Sequence, residues 1–139
     1  MLLLALGLGF AYSRVRTGAE NEHLTGRVSG PAMRSQALSN PMPRYPAASL
    51  ARGIVGVAVA EVSVDTQGRM DSIRILEAPD AAIARSVGDA LSRWRFATPE
   101  PVLGRPVKLT SRLAFYFVID HGEGRVLNPP DAAALRGHK

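Results

Sequence analysis

The sequence predicts an α+β domain: a three-stranded antiparallel sheet with one helix packed across it, and a short N-terminal helix ahead of the first strand. Three segments carry that expectation. Residues 56–64 alternate in the period of two that a half-buried strand requires, residues 83–94 repeat apolar side chains in the period of a helix, and residues 107–119 alternate again over a longer run. The order is short helix, strand, strand, helix, long strand, and both apolar faces are buried when the longer helix crosses the sheet.

The domain begins at Pro41-Met42-Pro43, where the prolines favour an extended approach and forbid a central strand. After Tyr45-Pro46, residues 47–52 read as one or two helical turns, with Pro46 suited to a first-turn position and Gly53 to the stop. In residues 56–64, Ala58, Ala60, Val62 and Val64 share one face, and Val57, Val59, Glu61 and Ser63 share the other. The second face is apolar at Val57 and Val59, which calls for cover by linker residues or for a dimer or partner surface. Asp65-Thr66-Gln67-Gly68 puts Asp at the start of a turn and Gly where a positive φ is needed. Residues 70–76 then return as the second strand of a hairpin, with Ile73 and Ile75 inward.

Pro79-Asp80 supplies a break and an N-cap, and Ile83, Val87, Ala90, Leu91 and Trp94 follow as a single helical stripe with Arg85, Asp89 and Arg93 away from it. The prolines and glycine between Thr98 and Pro106 mark a loop. In the last strand Leu109, Leu113, Phe115, Phe117 and Ile119 face one side, while Lys108, Thr110, Arg112, Ala114 and Tyr116 face the other.

A chain of 139 residues, 46% hydrophobic and 21% charged, has room for one domain with tails. Four parts are expected: a membrane anchor or signal-like apolar segment over residues 1–16, a flexible linker over 17–40, the domain over 41–119, and a flexible tail over 120–139. The first twelve residues are nearly all apolar. As a helix they would reach about 18 Å, short of a hydrocarbon core of about 30 Å. They fit the core of a signal peptide, part of a longer anchor, or an interfacial segment held by Tyr12, Arg14 and Arg16, and each of these directs the chain to a membrane. Residues 17–40 are rich in Gly, Ser, Asn and Glu with little apolar periodicity, and in the tail residues 131–136 offer at most a marginal helical turn or two.

The formal charge of +5 is spread as +2, +3 and 0 over residues 1–40, 41–119 and 120–139, with no run of basic residues of the kind that tracks a nucleic-acid backbone. No nucleic-acid partner is expected. The chain has no cysteine, so it has neither a disulfide framework nor a thiolate metal site. His23, His121 and His138 fall in or beside segments that read as flexible, and no serine is placed to meet Asp120-His121. No His-x-x-x-His spacing or carboxylate cluster suggests a metal, and Gly68 and Gly104 are isolated turn glycines. The expectation is a protein that is not an enzyme and needs no cofactor or metal. Trp94 belongs to the core stripe, whereas Tyr45, bracketed by prolines, is balanced between packing against the helix and contacting a ligand. If the last strand is a sheet edge, its unpaired N–H and C=O groups let a foreign peptide add as a further strand.

Pro43-Arg44-Tyr45-Pro46, the strand ending in Asp65-Thr66-Gln67-Gly68-Arg69, and Arg93-Trp94-Arg95-Phe96 followed by Pro99 together resemble the C-terminal domain of the TonB family of energy transducers, over about residues 41–118. The resemblance implies a periplasmic domain tethered to the inner membrane by a single N-terminal anchor. It implies capture of an extended segment of outer-membrane TonB-dependent receptors, and transmission of force from a proton-driven ExbB–ExbD-type motor for uptake of substrates such as siderophores. Carried over by position, the contact strand is Arg112, Leu113, Ala114, Phe115, Tyr116, Phe117 and Val118, with Pro43, Arg44, Tyr45 and Pro46 as the neighbouring patch. Backbone pairing would supply affinity, and side chains such as Arg112 and Tyr116 selectivity. A homodimer is compatible with the same edge. The alternative is a structural or adaptor subunit of another cell-envelope complex that uses the same fold.

Overall fold

The computed structural model describes residues 11–17 and 21–129. Its elements in chain order are β1 (Ala11–Thr17), β2 (Asn21–Arg27), α1 (Gly30–Ser35), β3 (Ala37–Ser39), α2 (Ala47–Ala51), β4 (Gly56–Val64), β5 (Met70–Glu77), α3 (Ala81–Leu91), β6 (Arg95–Phe96), β7 (Val107–Asp120) and β8 (Glu123–Leu127). The fold is mixed α+β.

At its centre are the three expected antiparallel strands, with β4 between β5 and β7 and α3 packed across one face. The inward set Ala58, Ala60, Val62, Val64, Leu109, Leu113, Phe115 and Phe117 is buried, and so are Ile83, Val87, Ala90, Leu91 and Trp94 from the helix side. The helix itself closes at Leu91, and two tight turns (Arg93 N–H to Ala90 O, Trp94 N–H to Leu91 O) carry the stripe on to Trp94. Trp94 donates its indole N–H to the carbonyl of Pro41 at 2.9 Å, which pins the start of the domain to its core. Asp80 caps α3 by accepting from the Ile83 N–H at 2.8 Å, and Ser49 donates to its other oxygen, tying α2 to α3. Asp65 accepts from the N–H groups of Gln67 and Arg69 in the β4–β5 turn. At Gly68 the φ is +88°, and a Cβ there would lie 2.5 Å from the carbonyl oxygen of Phe96, so both conformation and space require glycine.

Three expectations are corrected. Among the described residues the sheet has six strands rather than three: β2 joins β7 in parallel at Val107–Thr110, β1 extends β2, and β8 pairs antiparallel with Tyr116–Asp120 of β7. Residues 21–40, expected as linker, fold into β2, α1 and β3, and Met33 and Val28 enter the core. Their anchorage is largely backbone pairing, as in Val28 N–H to Thr110 O and Ala97 N–H to Gln36 O, which leaves no periodic side-chain pattern. Residues 120–129, expected as flexible, turn through His121 and Gly122 into β8. Of the apolar start, residues 11–16 lie in β1, while residues 1–10 fall outside the described residues, as do 131–136 of the tail. Among the described residues no helix is long and apolar enough to cross a membrane.

Candidate docking surface

In a sheet, alternate residues of a strand aim their N–H and C=O groups at the same neighbour. In β7 the even-numbered residues aim away from β4: Thr110 O accepts from Val28 N–H at 2.9 Å, and Ala114 O accepts from Arg34 at 2.5 Å. Along this rim lies the expected contact set Arg112, Leu113, Ala114, Phe115, Tyr116, Phe117 and Val118. The rim is not free. β2 covers its start, α1 its middle and β8 its end, so β7 is an interior strand. The α1 cover is close: a Cβ on Gly30 would stand 3.0 Å from the Arg112 carbonyl oxygen. Arg34 lays its guanidinium over Phe115, 5.2 Å from the ring centroid, and burial lowers its pKa.

Side chains of the contact set divide by parity. Leu113, Phe115 and Phe117 are fully buried in the core, whereas Arg112 is exposed and Ala114, Tyr116 and Val118 are half-buried on the opposite face. The sheet therefore turns to the rim the backbone groups of only the even-numbered members, Arg112, Ala114, Tyr116 and Val118, whose side chains also share the outer surface.

The lead-in motif sits against the end of that rim. Pro43 is buried and Arg44 exposed. Tyr45 donates its hydroxyl to the Ile54 carbonyl and meets Phe117 edge-on, with ring centroids 5.3 Å apart. Burial, and then the charge of Asp80, raise its pKa. Its ring also underlies β8: a Cβ on Gly124 would lie 2.7 Å from Tyr45 Cδ2 and 3.0 Å from Leu50 Cδ1. Tyr45 thus packs between the core and β8. Arg44 and Pro46 join Arg85, Ser86 and Asp89 of α3, and Arg93 of the turn after it, around an open groove of about 360 Å³.

The histidines lie apart. His23 is on β2, not in a flexible segment, and the side chain of His121 is 95% exposed in the β7–β8 turn beside Asp120. His138 is outside the described residues. Sequence reasoning missed Arg34, Gly30 and Gly124, the residues that close the rim, because none of them belongs to a periodic run.

Residues 41–119 match the family model described as the Gram-negative bacterial TonB protein C-terminal. The chain is 33% identical to protein TonB of Escherichia coli K12 over 102 residues, which is 73% of this chain and 41% of that protein. It is 40% identical to protein TonB of Yersinia enterocolitica over 62 residues, covering 44% of this chain and 24% of the relative. The chain therefore spans about two fifths or less of the length of these relatives. The solution NMR structure of the Pseudomonas aeruginosa TonB CTD superposes with a TM-score of 0.51 at 32% identity, over 61% of this chain and 86% of that one. With its three antiparallel strands, crossing helix and lead-in motif all within matched residues 41–119, the chain belongs to the TonB family through its C-terminal domain.

Proposed function

We propose that this protein is an energy-transducing docking module of the cell envelope, held at the inner membrane through its N-terminal segment with the folded domain in the periplasm. It captures an extended segment of an outer-membrane TonB-dependent receptor by strand addition to β7 and passes on force drawn from a proton-driven ExbB–ExbD-type motor. Because β8 lies on the rim at Tyr116–Asp120, the incoming segment takes the place of β8 there. The observation that supports exchange is that this part of the rim is held by a five-residue strand whose removal uncovers a ready floor. With β8 gone, Tyr45, Leu50 and Phe117 present an apolar surface beside unpaired backbone groups. Backbone pairing then gives affinity, and those pockets sort side chains. Pro43, Arg44, Tyr45 and Pro46 border the same end of the rim, so the lead-in patch and residues 112–118 act as one surface.

Titration of ¹⁵N-labelled full-length chain with peptides from receptor N-termini tests this reading. Amide shifts along residues 112–118, together with loss of the β8 cross-strand contacts, are expected. A peptide series that leaves residues 112–118 unmoved refutes it.

A further inference from the structure

The face of the sheet opposite α3 has no element packed over it among the described residues, and its charged end has a definite layout. Register places Arg112 of β7, Glu61 of β4 and Arg74 of β5 in one row. Arg27, Thr110, Ser63 and Ser72 form the next row, and Lys108 lies beyond on β7. An open trough of about 590 Å³ runs along these rows, with Arg27, Glu61, Arg74, Lys108 and Thr110 among its lining, and Arg112 stands at its border, 3.9 Å from Glu61.

Three guanidinium groups surround the one carboxylate of Glu61. Arg74 hydrogen-bonds it at 2.5 Å, whereas Arg27 and Arg112 stop at 3.9 Å, outside hydrogen-bond reach, with side chains 63% and 64% exposed. The hydrogen bond from Arg74 and the charges of all three arginines lower the Glu61 pKa, so it stays ionised and neutralises only one of them. Lys108 is neutralised by Asp71 at 2.7 Å, which leaves the patch with a net charge of +2. Exposed ion pairs of this kind add little to stability, so holding three arginines about one carboxylate is poorly explained as a structural brace.

We propose that this trough is a second docking surface, distinct from the β7 rim, and that its occupant is an extended acidic protein segment with carboxylates at alternate positions. In an extended chain such carboxylates recur every ~6.8 Å, the same repeat that separates Arg112, Thr110 and Lys108 along β7. One carboxylate bridges Arg27 and Arg112, taking the donors that Glu61 leaves unused, and the next reaches Thr110 or Lys108. A nucleic acid suits the patch less, because Glu61 and Asp71 would face its phosphates. An anionic bilayer is flat and would touch only the rims of a concave surface.

The test uses ¹⁵N-labelled full-length chain, a capped ten-residue peptide of alternating Thr and Glu, and its Thr/Gln counterpart. The Glu peptide should shift the Nε–Hε signals of Arg27, Arg74 and Arg112 and the amides of Arg27 and Thr110, and the Gln peptide should not. Arg27→Gln should weaken binding at least threefold, and Glu61→Gln, which raises the local charge, should tighten it at least threefold. A merely structural network gives no such opposed pair. Both positions are exposed or half-exposed on a sheet face, and an unchanged amide spectrum elsewhere confirms folding of each variant. Equal shifts from both peptides, shifts confined to the β7 rim, no effect of Arg27→Gln, or tighter binding of a ten-residue thymidine oligonucleotide or of phosphatidylglycerol vesicles at the same residues would each overturn the proposal. Failure here leaves strand addition standing, because that reading is registered at residues 112–118 and at β8 rather than at Arg27 and Arg74.

Discussion

Substitution of Gly124 by alanine should open the rim of β7 without touching the rim itself. The added Cβ would stand 2.7 Å from Tyr45 Cδ2 and 3.0 Å from both Tyr45 Cγ and Leu50 Cδ1. The ring has little room to yield, since its hydroxyl is bonded to the Ile54 carbonyl and its edge packs on Phe117. Overpacking of this sort costs about 1–3 kcal/mol. If the cost falls on the contact between β8 and Tyr45, the opening equilibrium of β8 shifts by about five- to 150-fold, at about 1.4 kcal/mol per decade. Native-state hydrogen exchange reads this directly. By the alternation along β7, the Tyr116 and Val118 amides aim at β8 and should exchange faster by that factor, while β4 amides such as Val62 change much less. A receptor peptide that replaces β8 should bind more tightly to the variant by a similar factor, because less of its binding free energy is spent on opening. Unchanged exchange at Tyr116 and Val118, or acceleration spread evenly over the whole sheet, would refute the idea that Tyr45 and Gly124 hold β8 in place.

Gly68→Ala should destabilise the domain by about 2–4 kcal/mol in urea denaturation, from left-handed strain plus the clash with Phe96; a loss below about 0.5 kcal/mol would contradict the close approach. Trp94→Phe keeps most of the buried ring but removes the donor to Pro41, so a loss of about 1–3 kcal/mol is expected, and none if that carbonyl finds another partner. Asp80 has its pKa lowered first by the Ile83 N–H and then by Ser49. Its contribution is therefore present above the ordinary aspartate value near 3.8 and is lost as pH falls through the lower folded value. Asp80→Asn should make the acid limb of stability against pH shallower in that window; a superimposable limb would show that the cap does not titrate with folding.

β4, β5, α3 and β7 are legible in the sequence because each is long enough to display its period and buries one face. β7 runs for 14 residues, and α3 places four buried side chains on one stripe before Trp94. The turn at residues 65–68 and the cap at Asp80 are legible for a different reason, since Asp and Gly at those spacings have few other uses. β2, α1, β3 and β8 leave weaker signatures. α1 has six residues and one buried side chain, Met33, too few to define a face. β2 carries the run Asn-Glu-His-Leu-Thr-Gly-Arg and joins β7 through backbone groups, which are the same for every residue type. For that reason the sequence locates β7 yet misses what lies on it. The Arg34 and Gly124 contacts link residues 80 positions apart and 79 positions apart, pairings that no local spacing encodes.

The central claim is that β8 and an incoming strand compete for one rim, and a reversible lock tests it most directly. Val118 and Arg125 face each other across β7 and β8, and the chain has no native cysteine, so Val118→Cys with Arg125→Cys creates a single cross-strand disulfide. The oxidised chain should fail to bind receptor-derived peptides, and reduction should restore binding. Equal binding by the oxidised and reduced forms would contradict strand exchange at β7.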